Sequence, residues 1–215
     1  MFDHIAQRYD VANHLLSAGL DFFWRQRAAE IVRRWQPRRV LDLATGSGDL
    51  ALTIAKRLPQ SEITGVDFSP EMLAVARRKG LTKTVVADVL NLPFPEASFD
   101  VVTVAFGLRN MADWSAALTE MRRVLSLGGH LLVLEFSLPH GVLRPIYRTY
   151  LHHILPRIAG LLTREKGAYQ YLGDSIEKFP SGAALCDLIG QNGFAEASDE
   201  PLSGGVVTIY RAEKR

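Results

Sequence analysis

Leu41-Asp42-Leu43-Ala44-Thr45-Gly46-Ser47-Gly48-Asp49-Leu50-Ala51 is the stretch on which the fold turns. It completes the short apolar run of residues 39–43 (RVLDL), a buried-strand signature, and leads into Leu50, Ala51, Ile54, Ala55 and Leu58 at helical spacing. Pro59 stops that helix. A strand passing through a glycine-rich turn into a helix presents free N–H groups to a ligand. The small residues Thr45, Gly46, Ser47 and Gly48 let that ligand approach closely.

The same alternation continues outward. Residues 63–66 give a second strand ending at Asp67, after which Ser69 can cap a helix with Pro70 at its first position. Residues 84–87 and 99–105 read as the third and fourth strands. Asp113 caps a helix with Trp114, Ala117, Leu118, Met121 and Leu125 on its buried face, Leu127-Gly128-Gly129 breaks it, and residues 130–136 form a fifth strand. Repeated strand–helix–strand units predict a doubly wound, mainly parallel α/β sheet. The close differs: residues 194–201, a Gly204-Gly205 turn and residues 206–210 predict an antiparallel hairpin. A reversed last strand is how methyltransferase sheets finish, and dinucleotide-binding domains usually do not.

Composition bounds the rest. The 215 residues, 47% apolar and 22% charged, suit one folded domain spanning residues 1–215, with helical segments at 1–35 and 141–180 outside the repeating units. A net charge of +2 gives no reason to expect nucleic-acid binding. Cys186 is the single cysteine, so neither an internal disulfide nor a cysteine-rich metal site can form, and its setting predicts an inert, core-facing thiol. No apolar run is long enough for a membrane span and the N-terminus does not read as a signal peptide, so a cytoplasmic protein is expected. His152 and His153 are adjacent and diverge by about 100° on a helix, which makes a poor metal pair. No metal is expected.

The glycine turn alone is ambiguous, because Gly46 to Ala51 also satisfies the G-x-G-x-x-A form of a dinucleotide fingerprint, with Asp67 at a ribose-binding distance downstream. Later residues favour S-adenosylmethionine over a nicotinamide cofactor. Asp67 ends the second strand, where a carboxylate accepts both ribose hydroxyls, with Phe68 and Met72 beside it. Asp88 ends the third, where it accepts the adenine amino group next to the Val89 backbone. An acid-rimmed cleft suits a sulfonium and an amino-acid end better than a pyrophosphate.

With those motifs placed, the chain resembles the C-methyltransferases of ubiquinone and menaquinone biosynthesis nearly end to end. The resemblance rests on residues 1–10 (MFDHIAQRYD), Asn13, residues 16–21 (LSAGLD) with Trp24 and Arg25, residues 105–110 (AFGLRN), residues 132–137 (LVLEFS), residues 169–176 (YQYLGDSI) and residues 202–207 (LSGGVV). It implies a class I S-adenosylmethionine methyltransferase, with a seven-stranded sheet, a helical N-terminal segment and a helical cap insertion. Family cofactor contacts fall on Ser47, Asp67, Asp88 with Val89, and Ala105. Ser47 stands where threonine is common and keeps the hydroxyl; Ala105 stands where serine is common and keeps only a backbone or packing role.

The resemblance further implies methylation of a ring carbon on a lipophilic, polyprenylated quinol, with demethylmenaquinol preferred over the corresponding benzoquinol. Arg109 is the first candidate for stabilising a developing phenolate, since a guanidinium is far too basic to act as a general base. Asn110 and Tyr171 are candidates for orienting the ring hydroxyls. In residues 141–165, Leu143, Ile146, Tyr147, Tyr150, Leu151, Ile154, Leu155, Ile158, Leu161 and Leu162 form an apolar stripe with arginines largely off it. That pattern is compatible with a cap helix packed on the core. It is also compatible with a surface that admits an isoprenoid tail and rests on the inner face of the membrane. A homodimer and a catalytically silent assembly partner remain open at this point.

Overall fold

A computed structural model describes residues 19–139, 141–154 and 173–215 of the chain. Among them seven strands form one sheet in the order β3-β2-β1-β4-β5-β7-β6, where β1 is Arg39–Leu43, β2 Glu62–Asp67, β3 Lys83–Val86, β4 Phe99–Ala105, β5 Leu125–Phe136, β6 Phe194–Leu202 and β7 Val207–Lys214. The first five run parallel; β7 pairs antiparallel with both β5 and β6. This is the class I methyltransferase arrangement the sequence predicts, reversed hairpin included.

Helices cover both faces. α1 (Leu20–Trp35), α2 (Asp49–Arg57) and α3 (Pro70–Arg78) lie on one, burying Trp24, Ala28, Ile54 and Ala76 against Val40, Val101, Leu132 and Ile209. α4 (Trp114–Val124) and α6 (Ala183–Gln191) lie on the other, burying Leu118, Met121, Leu185 and Ile189 against Leu41, Val102, Val133 and Tyr210. Consecutive residues of β5 thus feed opposite cores, as the period-two alternation of a strand requires. β1, β2 and β4 are buried on both faces, which is why they read as continuous apolar runs, whereas the edge strand β3 buries none of its residues.

The sequence signals for helix starts are realised. The Ser69 hydroxyl accepts from the Met72 N–H, with Pro70 opening α3, and the Asp113 carboxylate accepts from the Ala116 N–H at the start of α4. Three expectations shift. Leu127-Gly128-Gly129 does not separate helix from strand. α4 ends at Val124 and β5 begins at once, with Leu125 opposite Phe99 and His130 opposite Val101, so the glycines form a bulge inside the strand. Val124 joins the buried face of α4, at whose start Trp114 is only half-buried, packed edge-on against Phe179. Cys186 is half-buried rather than fully buried: it packs against the core from the side, while Leu185 and Ile189, four apart, hold the buried positions of α6.

In the cap region, α5 (Leu143–Thr149) runs into a π-helical turn at Tyr150–Ile154. No residue of α5 is fully buried, Tyr147 being partly so, while Leu151 beyond it is buried and Arg148 bonds Glu177 at 2.7 Å. No described helix is long and apolar enough to cross a membrane. The expected N-terminal motif, Tyr171, and the cap stripe beyond Ile154 lie outside the described residues.

Candidate active site

The carboxyl ends of β1, β2 and β4 open onto one cleft of about 390 Å³, at the side of a parallel sheet where ligands bind. The glycine turn after β1 forms its floor. Ala44 and Gly46 take left-handed φ values of 47° and 55°, and the Thr45 N–H is held by the Val66 carbonyl at 2.9 Å. A Cβ on Gly46 would approach Met72 Cε to 3.2 Å, so glycine preserves the gap between turn and α3. Thr45, Gly46 and Ser47 line the cleft. Gly48 does not: it caps α2 at φ 83° and packs behind the turn, where a Cβ would meet Ala76 Cβ at 3.1 Å.

Beneath the turn lies a carboxylate that sequence reading passed over. Asp42 is buried on β1 and accepts 2.6 Å hydrogen bonds from the hydroxyls of Thr45 and Thr103. Burial pushes its pKa up to about 6, with the two hydroxyls and the Arg25 guanidinium working in the opposite direction. Arg25 and Asp42 both line the cleft, and Arg25 is ion-paired with Asp21 one helical turn earlier.

At the end of β2, Asp67 points its carboxylate into the turn. One oxygen accepts from the Gly46 N–H at 2.8 Å and the other from the Ser69 N–H at 2.9 Å. Each carboxylate oxygen retains a lone pair, so the group stays able to accept hydroxyl donors while its orientation is fixed. Phe68, exposed beside it, and Met72 continue that wall. Asp88 is exposed just past β3, accepting from the Leu90 N–H at 2.9 Å, and the buried Val89 lies next to it. Four carboxylates line this mainly apolar cleft, Asp49 paired with Lys79 at 2.8 Å and Asp42, Asp67 and Asp88 placed to fit a ligand bearing cationic, hydroxyl and amino groups. That is the donor set of S-adenosylmethionine.

The third wall comes from the end of β4, where Ala105, Phe106, Gly107, Asn110 and Met111 line the cleft. Phe106 has φ 57°, an unusual conformation for a residue with a ring. A Cβ on Gly107 would lie 2.6 Å from Ala44 Cβ, so the ends of β1 and β4 touch there. Arg109, expected to face the acceptor, is held elsewhere. Its side chain is 1% exposed and pairs at 2.6 Å with Glu135, itself fully buried on β5. It does not line the cleft. Tyr147 on α5 is close enough for the guanidinium to act on its phenol, whose pKa burial raises well above the ordinary value.

Of the cofactor residues expected from sequence, Thr45, Gly46, Ser47, Asp67, Phe68, Met72, Asp88, Val89 and Ala105 converge on the cleft, joined by Asn110 from the acceptor set. Arg25, Asp42 and Phe106 were missed as lining residues. Trp24-Arg25 and the run Ala105 to Asn110 carried a signal only through resemblance; Asp42 carried none beyond an acid in an apolar strand. Among the described residues no cluster of metal-ligating side chains occurs.

The sequence profile of the ubiE/COQ5 methyltransferase family matches residues 1–214. A demethylmenaquinone methyltransferase of Thermus thermophilus is 47% identical over 220 residues, covering 100% of both chains. A ubiquinone/menaquinone biosynthesis C-methyltransferase of Geobacter sulfurreducens is 44% identical over 223 residues, covering 100% of this chain and 87% of its own. Among solved structures, an S-adenosylmethionine-dependent methyltransferase of Thermotoga maritima superposes with a TM-score of 0.70 at 20% identity, covering 100% of this chain and 98% of its own. Human N-acetylserotonin methyltransferase bound to S-adenosylmethionine gives 0.64 at 19% identity, over 91% of this chain and 52% of its own.

Proposed function

The chain belongs to the ubiE/COQ5 methyltransferase family, and from that premise we propose that it methylates a ring carbon of a lipophilic quinol, demethylmenaquinol first among the acceptors. The full-length identity to the Thermus protein carries the choice of a naphthoquinol. It is an S-adenosylmethionine-dependent methyltransferase, and the nicotinamide reading of the glycine turn falls away.

S-adenosylmethionine supplies an electrophilic methyl group on a sulfonium. The chain's own residues do the positioning. The turn from Thr45 to Ser47 receives the amino-acid end, with Asp42 beneath as the opposite charge. Asp67 takes the ribose hydroxyls, Phe68 and Met72 pack on the neighbouring face, and Asp88 with Val89 takes the adenine. Ala105 contributes backbone and surface only. Asn110, exposed on the cleft wall, orients the acceptor hydroxyl. Net chemistry replaces one ring proton by one methyl, so the acceptor side needs alignment and relief of phenolate charge, not a covalent nucleophile.

A lipophilic acceptor calls for an apolar approach. Val142, Leu143 and Ile146 of the cap are 82%, 49% and 67% exposed, with Arg144 exposed among them. An apolar edge with a cation beside it supports peripheral contact with anionic lipid.

The test is methyl transfer from labelled cofactor to demethylated naphthoquinol and benzoquinol presented in parallel. Label in the naphthoquinol, faster than in the benzoquinol, is expected. Faster labelling of the benzoquinol reassigns the acceptor, and no label in either removes the quinol reading.

A further inference from the structure

The turn that follows β4 is held in a conformation its sequence does not favour. Phe106 sits at φ 57°, where a side chain crowds the backbone, and it is neither glycine nor asparagine. Such a residue persists only when its surroundings over-determine it. Here they do. The Phe106 N–H donates to the Leu134 carbonyl at 2.8 Å, continuing the β4–β5 ladder past the strand. Its carbonyl accepts from Arg109 Nη1 at 2.7 Å and from Asn110 Nδ2 at 3.4 Å.

Arg109 is in turn fixed by Glu135. One carboxylate oxygen accepts Nη1 at 2.6 Å and also the Phe136 N–H at 2.9 Å; the other accepts the Arg109 backbone N–H at 3.3 Å. Both side chains are out of water, so the pair is an internal tie and not a surface ion pair. The Phe106 ring packs on Phe136 at 4.6 Å and on Trp24 at 6.2 Å, with the Arg25 guanidinium 5.6 Å from its centroid. Ring and backbone are therefore both located, and Phe106 and Asn110 still line the cleft.

We propose that Glu135 is a positioning residue for methyl transfer: acting through Arg109, it holds the strained Phe106 turn that forms the acceptor-side wall. The Phe106 ring is the surface on which the acceptor's aromatic ring stacks, and Asn110 is delivered beside it. Offset stacking aligns a flat acceptor by its ring, with the Arg25 guanidinium beside the same phenylalanine. Glu135 touches neither ligand. This rests on the quinol reading above.

The experiment is a double-mutant cycle of Glu135→Gln and Phe106→Leu, with acceptor KM and kcat measured on a short-tailed demethylated naphthoquinol and cofactor Kd measured by calorimetry. Each single variant is expected to lower kcat/KM for the acceptor at least tenfold while cofactor Kd stays within about threefold. The double variant should lose no more than twofold beyond the worse single one. Effects that multiply, or a cofactor Kd that weakens in step with the acceptor, overturn the proposal. If Glu135→Gln does not fold, Glu135→Asp, which keeps the charge on a shorter side chain, takes its place in the cycle under the same criteria, and Phe106→Leu against Phe106→Tyr tests the stacking. Tyrosine, which keeps the ring, should raise acceptor KM less than a third as much as leucine, and equal losses overturn the stacking role. Wild-type enzyme that fails to methylate the naphthoquinol would remove the quinol reading itself, whereas a multiplicative cycle in an active enzyme removes only the role of Glu135.

Discussion

The Asp67 carboxylate bridges the Gly46 N–H at 2.8 Å and the Ser69 N–H at 2.9 Å, tying the glycine turn to the start of α3 across the cleft mouth. Asp67→Ala therefore removes a cofactor contact and loosens the turn that makes the others. Hydrogen bonds to a charged group are worth roughly 1.5–3 kcal/mol, so cofactor affinity should fall at least about tenfold. Calorimetry showing unchanged affinity in a folded variant would sink the ribose assignment.

Asp42 gives the protein a pH signature. Burial raises its pKa in the native state, so between the ordinary carboxylate range and about 6 the folded chain binds a proton that the unfolded chain has released. Its contribution to stability is therefore lost as pH rises through that window. Asp42→Asn cannot ionise, so its Tm relative to wild type should climb between about pH 4 and about pH 8. Melting curves at the two values check this, and a constant offset contradicts it.

Gly107 has no room for a methyl, because its Cβ would stand 2.6 Å from that of Ala44. Gly107→Ala should cost about 1–3 kcal/mol by overpacking, a fall in Tm of roughly 2–12 °C for a chain of this size. Cofactor affinity should drop with it, since the contact joins two walls of the cleft. Scanning calorimetry with and without cofactor measures both, and an unchanged Tm refutes the contact.

Ile146, two-thirds exposed on α5, is the sharpest probe of lipid contact. Ile146→Glu should reduce flotation with anionic vesicles several-fold while leaving flotation with neutral vesicles low in both proteins. Equal recovery of wild type and variant with anionic lipid argues against this face.

Much of the architecture was legible because its signals are local. Ser69 with Pro70 and Asp113 are caps read directly from sequence, and Asp67 and Asp88 stand at strand ends that apolar runs reveal. The missed features are those that depend on which strands become neighbours. Thr103 reaches Asp42 only because β4 lies beside β1, and Glu135 reaches Arg109 only because β5 lies beside β4. Sequence placed Arg109 just past β4, but no local signal showed that its guanidinium turns inward to Glu135 and away from the cleft. Nor does any local rule put a phenylalanine at a positive φ; the surrounding bonds impose it.

Among the described strands, β7 is inserted between β5 and β6, two elements made before it. On the ribosome, β5 must therefore wait with one edge bare from the emergence of Phe136 until Val207 arrives. An unpaired apolar edge is a template for strands of other chains. A chain interrupted in that interval, before β6, holds five of the seven strands, with the outer edge of β5 open to pairing by other chains.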